Sequence, residues 1–384
     1  MSKRIALFLD GTWNDVDSDT NVWRMKSLCT TGADQVVYYS TGVGTQFGQR
    51  LSGGMFGYGL DDEVIRAYQW LVEQYDQGDH IYLMGFSRGA FTARSLSGLI
   101  AKCGLLRQGA PISLTQLYAR YRKGNAVPTI RGLKNGSIAK QDLEDQWLLK
   151  YSMPVPVWFV GVWDTVGALG IPFGHFPLVS RSDYQFLDTD LMIENDRAFH
   201  ALAVDEHRAA FAPTLWTKSV AQNARPGDSP APRTIENVEQ RWFVGAHADV
   251  GGGYENGILA QIPLAWLMSK AAAHGLTFKD EVVLDGSECE GAIHDSFADM
   301  AGGLYKLVEF GHQYFRPIGV EPMTVDGILT STINETIDAS VFERWRKNPG
   351  YRPPNLETWA KQHRIDPATL VGSVRADNSS TTVV

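Results

Sequence analysis

The chain has 384 residues, of which 44% are hydrophobic and 20% are charged, and its formal net charge is −8. This composition is typical of a globular protein that is long enough to bury a stable core without disulfides or a structural metal. The excess of acidic residues and the absence of a basic run argue against nucleic acid as a partner. Three scattered cysteines give neither a disulfide framework nor a metal-site spacing, so we expect reduced thiols and no metal or other cofactor.

The first ten residues begin with basic side chains and continue as a short apolar run that ends at Asp10. This run is too short for the core of a signal peptide, and no small-residue cleavage site follows it. No stretch of the chain approaches the roughly 18 consecutive apolar residues that a membrane-spanning helix needs. We therefore expect a cytoplasmic protein that contacts lipid, if at all, peripherally and from solution.

Short apolar runs that end in Gly or Asp alternate with helical patterns, which indicates an α/β fold with a mostly parallel central sheet flanked by helices. Buried parallel strands read as continuous apolar runs. One helix is indicated by apolar residues at helical spacing between Val64 and Tyr75, and a second opens directly after Ser87. The predicted strands are residues 5–9, 36–39, 81–84, 157–163 and 242–244.

Two segments of different composition interrupt this alternation. Residues 105–156 are polar and mixed, and residues 170–199 are rich in aromatic and turn-forming side chains. We interpret both as insertions in a single domain that spans residues 1–373, where they would form a partial cap. Residues 374–384 are polar and are expected to form a disordered tail.

The sequence Gly-Phe-Ser-Arg-Gly at residues 85–89 matches the pattern G-x-S-x-G. It follows an apolar strand directly and precedes a helical pattern, which is the context that this motif requires for a nucleophile. The two glycines permit a sharp strand-to-helix turn that lifts the hydroxyl of Ser87 above the sheet. Ser87 is therefore the predicted nucleophile, and the alternative is an inert serine in a glycine-rich turn.

A serine hydroxyl needs a base that is held by a carboxylate, and in α/β-hydrolases the chain order is serine, acid, histidine. Asp164 ends the predicted strand 157–163, and His247 follows the strand 242–244 on a glycine-rich loop. Both therefore lie at the carboxyl edge of the sheet, where open α/β sheets place their sites. Asp205 and Asp249 are the alternative acids.

An oxyanion formed at Ser87 would need two hydrogen-bond donors. The backbone amide of Arg88 is one candidate, because it follows the nucleophile. The second candidate is the amide of Gly11 or Thr12, in the loop after the first strand. Met55 and Phe56, in a glycine-rich loop, are the predicted lining of a substrate pocket.

Four motifs occur in order along the chain and together resemble an uncharacterised α/β-hydrolase family that includes the catalytic domain of type VI secretion phospholipase effectors. The segments HALAVDEHR at 200–208 and YRPPNL at 351–356 are also similar to that family. The four motifs are LDGTWN at 9–14, GFSRGA at 85–90, WDTVG at 163–167 and HADVGGGY at 247–254.

This resemblance implies an α/β-hydrolase fold and a Ser-Asp-His hydrolase, with Ser87, Asp164 and His247 at the matching positions. Characterised members of the family are phospholipases that act on glycerophospholipid esters. The resemblance implies a serine esterase or lipase whose substrate is a small-molecule or lipid ester, and it leaves export by a dedicated secretion machine open. Effector members carry a large additional membrane-binding region, and many relatives are cytosolic proteins of unknown substrate.

Two other functions compete with this interpretation. A hydrolase-like binding module without activity would tend to have lost one of the three side chains, and all three candidates are present. A metal-dependent hydrolase could use His247 and Asp249, joined by His200 or His207, but no known metal-ligand spacing supports it. The sequence does not predict the oligomeric state.

Overall fold

The computed structural model describes residues 2–11, 19–42, 56–137, 139, 142–166, 195, 197–219, 234–299, 312–319, 323–325 and 328–376. Its strands are β1 (Arg4–Leu9), β2 (Gln35–Ser40), β3 (His80–Phe86), β4 (Leu105–Leu106), β5 (Ser152–Met153), β6 (Phe159–Trp163), β7 (Ala198–Ala203), β8 (Thr217–Ser219), β9 (Val238–Phe243), β10 (Met323–Val325), β11 (Ile328–Thr332), β12 (Glu335–Ile337) and β13 (Val374–Arg375).

Eight of these strands form the central sheet, in the order β13-β12-β9-β7-β6-β3-β1-β2. Every neighbouring pair in this sheet is parallel except β12 and β13, which are antiparallel. Strands β8, β10 and β11 form a separate antiparallel sheet, and β4 pairs with β5. The predicted α/β class with a mostly parallel sheet is confirmed.

Helices cover both faces of the central sheet. Even-numbered residues of β1 such as Phe8 pack with Met25 and Leu264 on one face, and odd-numbered residues such as Leu7 pack with Leu71 and Leu96 on the other. This division follows from the twofold side-chain alternation of a strand. The helices are α1 (Asn21–Leu28), α2 (Phe56–Gln74), α3 (Arg88–Cys103), α4 (Leu114–Tyr121), α5 (Ile130–Lys134), α6 (Leu143–Tyr151), α7 (His247–Gly251), α8 (Gln261–Ala273), α9 (Ser296–Asp299), α10 (Ala339–Lys347) and α11 (Pro354–His363).

The chain reverses its direction across the sheet between β1 and β3. Strand β1 pairs with β2 on one side and with β3 on the other. The connection after β1 leads to α1 on one face, whereas β3 leads directly into α3 on the opposite face. Connections that diverge in this way leave a crevice at the carboxyl edge of the sheet. Ser87 lies at this point, directly after β3.

The five predicted strands are all present in the sheet, but their bounds differ, and three strands of the sheet, β7, β12 and β13, were not predicted. The run predicted at 242–244 overlaps the end of β9, which starts at Val238 and includes the buried carboxylate of Glu239, paired with Arg241 and Lys270. Charged residues can be buried in a central strand when they are paired, and a search for apolar runs does not detect such a strand. Strand β7 was not predicted, since its sequence AFHALA has alanines and a histidine where buried strands usually carry branched side chains.

The segment predicted as an insertion at 105–156 runs from β4 to beyond β5, and α4 packs against α2 and α3. The hydroxyl of Tyr118 on α4 donates to Asp61 Oδ1 on α2 at 2.7 Å. The insertion predicted at 170–199 lies largely outside the described residues, and its last two residues belong to β7, which begins at Ala198. The partial cap and the single-domain organisation stay predictions.

Residues 374–376, at the start of the predicted disordered tail, are part of the fold, and residues 377–384 lie outside the described residues. Val374 and Arg375 form β13, and the backbone N–H of Ala376 donates to the carbonyl of Glu335 at 2.8 Å. Val374 and Ala376 are buried, and burial of these two small apolar side chains explains why this otherwise polar segment packs against the sheet. Within the described ranges, no helix combines the length and the apolar character that crossing a membrane requires.

Replacing Gly89 by alanine should destabilise the fold, because the added Cβ would lie 2.1 Å from the backbone oxygen of Leu9. Backbone on both sides must shift, and such overpacking costs about 1–3 kcal/mol. Urea unfolding followed by circular dichroism measures the change. Gly32→Ala is the matched control, since nothing lies within 4 Å of its added Cβ. Equal unfolding midpoints for the two variants would contradict the close approach.

Candidate active site

Ser87 occupies the tight turn between β3 and α3. Its backbone has φ +57° and ψ −123°, a conformation that costs a non-glycine residue roughly 1–3 kcal/mol. The two flanking glycines make the turn possible, since a Cβ on Gly85 would lie 2.4 Å from the carbonyl oxygen of Gly89. The N–H of Ser87 donates to the carbonyl of Trp163 at 3.1 Å, which holds the turn against β6.

His247 lies at the start of α7, directly after β9, and its ring faces Ser87. The Nε2 atom is 2.8 Å from Ser87 Oγ, and Nδ1 is 2.5 Å from Asp164 Oδ2. The ring packs between Phe86 and Phe211, with centroid distances of 4.6 and 5.0 Å. The structure therefore brings together the three side chains that the sequence selected.

Asp164 is fully buried at the end of β6, with φ +39°. Its backbone N–H donates to the carbonyl of Ala201 at 2.7 Å, and Oδ1 accepts the N–H of Ala203 at 3.0 Å. Both partners belong to β7, the strand that was not predicted. The acid is thus positioned by the register between β6 and β7.

A buried arginine that the sequence reasoning missed contacts both oxygens of this carboxylate. Arg316 Nη1 lies 2.6 Å from Asp164 Oδ1, and Nη2 lies 2.9 Å from Oδ2. The guanidinium also donates to the carbonyls of Ala203 at 2.9 Å and Phe211 at 2.6 Å. Arginine in the sequence HQYFRPIG carries no signal of burial, because hydropathy and periodicity both assign it to the surface.

Glu206 is a second buried carboxylate at the same edge of the sheet. Its oxygens accept from the Arg208 guanidinium at 2.7 Å and from Ser296 Oγ at 2.9 Å. Glu206 Oε2 also accepts the backbone N–H of His247 at 3.2 Å. Arg208 lies over the ring of Phe211, 3.5 Å from its centroid. Glu206 therefore anchors the backbone of the histidine, whereas Asp164 contacts its ring.

Charges around the site set the protonation of the Asp–His pair. Burial disfavours the carboxylate of Asp164, but Arg316 and His247 outweigh burial and hold its pKa well below the usual range. Burial lowers the pKa of His247 below 6.5, although Asp164 opposes this. An ionised carboxylate only accepts, so Nδ1 of the neutral ring carries the proton. Nε2 is then the acceptor for the hydroxyl of Ser87.

The predicted oxyanion donors differ in their surroundings. The amide of Arg88 is the first N–H of α3, directly beside Ser87, and first-turn amides point beyond the helix end. The amide of Gly11 donates instead to Asp10 Oδ1 at 2.7 Å. The same carboxylate accepts from Thr20 and Tyr39. Thr12 lies outside the described residues, so the second donor stays a prediction.

The two alternative acids bind elsewhere. Asp205 Oδ2 accepts the N–H of Gly245 at 2.7 Å and the hydroxyl of Tyr351 at 3.1 Å. Asp249 accepts the N–H of Ala246 at the start of α7, and its other oxygen lies 2.6 Å from His294 Nδ1. These contacts secure the loop that carries His247.

The other residues named from the sequence are two pocket candidates and a candidate metal ligand. Met55 lies outside the described residues, as does the side chain of Phe56, so the pocket lining stays a prediction. Nε2 of His200 accepts the N–H of Thr165 at 3.0 Å, and burial together with Arg94 lowers its pKa to about 3. In the described part of the chain, no group of three or more His, Cys, Asp or Glu side chains is arranged to hold a metal ion.

A family model described as the catalytic domain of Tle1-like phospholipase effectors of the type VI secretion system matches residues 3–270. The uncharacterized protein YEL023C of Saccharomyces cerevisiae is 29% identical over 235 residues, which are 56% of this chain and 33% of that protein. The chain thus spans about a third of the length of this relative.

Two solved structures are similar at 18% identity. The crystal structure of an uncharacterized protein from Pseudomonas aeruginosa is covered over 51% of its length by 80% of this chain, with a TM-score of 0.42. The structure of the Tle1 effector bound to the VgrG spike from the type VI secretion system is covered over 52% of its length by 67% of this chain, with a TM-score of 0.36. The chain spans about half the length of each.

Replacing Asp249 by alanine should lower the free energy of unfolding by about 2 kcal/mol, because the buried N–H of Ala246 and the partly buried N–H of His294 lose their acceptor. Urea unfolding at neutral pH measures the loss. Asp285→Ala is the control, since the exposed Asp285 accepts a similar backbone bond from Ser287 and we expect no measurable change. Equal stability of the Asp249 variant and the wild type would contradict the anchoring role.

Proposed function

Because the chain belongs to the family of Tle1-like phospholipase effector catalytic domains, we propose that it is a serine hydrolase that cleaves carboxylic esters of lipids. The observation that carries this proposal is the continuous line of contacts from Ser87 Oγ through His247 to Asp164, at 2.8 and 2.5 Å. A serine, an imidazole and a carboxylate at these distances are suited to nucleophilic acyl transfer.

In the proposed reaction, Ser87 Oγ attacks the ester carbonyl while Nε2 of His247 takes the hydroxyl proton. The resulting imidazolium is stabilised by Asp164, and the oxyanion by the amide of Arg88 and a second donor from the loop after β1. Collapse breaks the bond to the alcohol, which leaves with the proton from His247, and an acyl-enzyme remains. Water then gives its proton to His247 and attacks the acyl carbon, which releases the acid and restores Ser87.

The conformation of Ser87 supports its assignment as the nucleophile. Residues in sparsely populated backbone regions cluster at functional sites, and here the strain is held by two glycines and the β6 backbone. The side chain is half-buried at the carboxyl edge of the sheet, where a substrate can reach it. A glycine-rich turn that served only to connect strand and helix would not require this conformation of a serine.

Phospholipid is the substrate class that the family description favours, and contact with a membrane surface would be peripheral. Export by a type VI secretion machine is part of the same proposal. The substrate is identified by comparing hydrolysis of p-nitrophenyl esters with hydrolysis of phospholipids of graded acyl chain length. Release of fatty acid from phospholipid vesicles supports the phospholipase proposal, and hydrolysis of short water-soluble esters alone would limit it to an esterase.

Replacing Ser87 or His247 by alanine should lower kcat by about 10³-fold or more with the fold retained, because each substitution removes a partner in proton transfer. Labelling by a fluorophosphonate probe should be lost in Ser87→Ala. The control is Ser95→Ala, since Ser95 Oγ is buried on α3 without a hydrogen-bond partner among the described residues. Unchanged activity in both site variants would reject the mechanism, and a wild type that is neither labelled nor active would favour a binding module.

The acid limb of the kcat/KM profile should have its midpoint below pH 6.5. Burial lowers the pKa of His247, so the imidazole stays neutral, and therefore active as a base, to a lower pH than a free histidine does. Activity falls as the pH drops through this lowered pKa and the ring becomes charged. The profile is measured with a neutral ester, while circular dichroism at each pH excludes unfolding. A midpoint at or above 6.5 would contradict the assignment of His247.

A further inference from the structure

Arg316 makes four hydrogen bonds with its two terminal nitrogens, and no part of its side chain is exposed. It lies in a segment that is hydrogen-bonded to the rest of the fold on both sides of Arg316. The N–H of Tyr314 donates to the carbonyl of His207 at 2.9 Å, and the N–H of Gly319 donates to Glu335 Oε2 at 3.0 Å. This position is C-terminal to the part of the chain that the family model matches.

We propose that Arg316 is a positioning residue of the serine hydrolase site, whose guanidinium holds the carboxylate of Asp164 in the plane that directs Oδ2 to His247. This inference rests on the proposed function.

Geometry is the first support for this role. A guanidinium is a planar fork of fixed shape, and here it contacts both oxygens of Asp164 at 2.6 and 2.9 Å. Two parallel bonds of this kind prevent rotation of the carboxylate about its axis. Oδ1 is fixed further by the N–H of Ala203, which leaves Oδ2 directed at Nδ1 of His247. A single donor would permit that rotation.

The same guanidinium also positions the ring that flanks the imidazole. Arg316 Nη2 donates to the carbonyl of Phe211, the last residue of the short 3₁₀ helix Ala209–Phe211. The side chain of Phe211 meets the ring of His247 nearly perpendicularly, at a centroid distance of 5.0 Å. The side chain of Arg316 therefore positions both Asp164 and the residue whose ring flanks His247.

Charge is the second support. Among the described residues, the ionisable groups that face Asp164 and His247 are Arg316, Glu206, Arg208 and the neutral His200. Glu206 and Arg208 form an ion pair with each other at 2.7 Å, and of the described cations Arg316 is the one that contacts Asp164 directly. A fully buried carboxylate without a partner takes up a proton. Removing Arg316 should thus let the Asp–His pair bind a proton at higher pH.

The test compares kcat, KM and the pH profile of Arg316→Met with those of the wild type. We expect kcat to fall about 10²-fold, as misplacement of a catalytic group by an ångström does, while KM changes little. The acid limb of kcat/KM should move to higher pH by about one unit or more, since a contacting cation is lost. An unchanged kcat together with an unchanged acid limb would overturn the role of Arg316.

Arg120→Met is the matched control. The Arg120 side chain is also buried, and it pairs at 2.6 Å with the fully buried carboxylate of Asp145 on α6, away from Ser87 and His247. We expect this variant to lose stability but to keep the wild-type kcat and acid limb. If both variants lowered kcat and moved the acid limb equally, the effect of Arg316 would be general destabilisation and the proposal would be wrong.

Arg316→Lys separates alignment from charge, and it keeps the test decisive if the methionine variant does not fold. Lysine retains the positive charge but lacks the fork, so kcat should fall while the acid limb stays in place. A lysine variant with the wild-type kcat would exclude alignment by the fork. Labelling of the wild type at Ser87 by a fluorophosphonate distinguishes these outcomes from failure of the proposed function, which would abolish labelling in every variant.

Discussion

The carboxylate of Asp164 lies fully buried at the end of β6, where an ionised group is stable only if its charge and its lone pairs are satisfied. The structure supplies a cation on one side, an imidazole N–H on another and a backbone N–H from β7. Each of these groups is held by a different element, so the arrangement depends on how those elements meet. These contacts also determine the position of the His247 imidazole, whose other nitrogen lies within hydrogen-bond distance of the Ser87 hydroxyl.

The parallel sheet makes this meeting possible. Strands β3, β6 and β9 all end at the same edge, and each is followed within a few residues by a side chain of the site. Strand β7 lies between β6 and β9 and carries Glu206 just after its end, which extends the backbone support to His247. Side chains separated by up to 160 positions in the chain are thereby within hydrogen-bond distance.

Two buried acids hold His247 at different atoms. Asp164 contacts the ring and Glu206 contacts the backbone N–H, and each has an arginine as its countercharge. A buried ion pair contributes little net stability, but loss of one partner is expensive, so such pairs fix an arrangement more than they strengthen the fold. Arg316 and Ser296, which contact these two acids, lie beyond residue 270, outside the family-model match.

Local chemistry in the sequence was sufficient to predict the α/β class, the parallel strands and the strand-to-helix turn at Ser87. These features depend on the periodicity of apolar residues and on glycines at positions where a Cβ would collide with nearby backbone. Both can be recognised in the sequence alone. Asp164 and His247 could be selected because residues at strand ends share one edge of a parallel sheet. Arg316, Glu206 and strand β7 were decided by the tertiary structure, since a buried charge is stable only beside its partner, and a sequence does not record which distant residue that partner is.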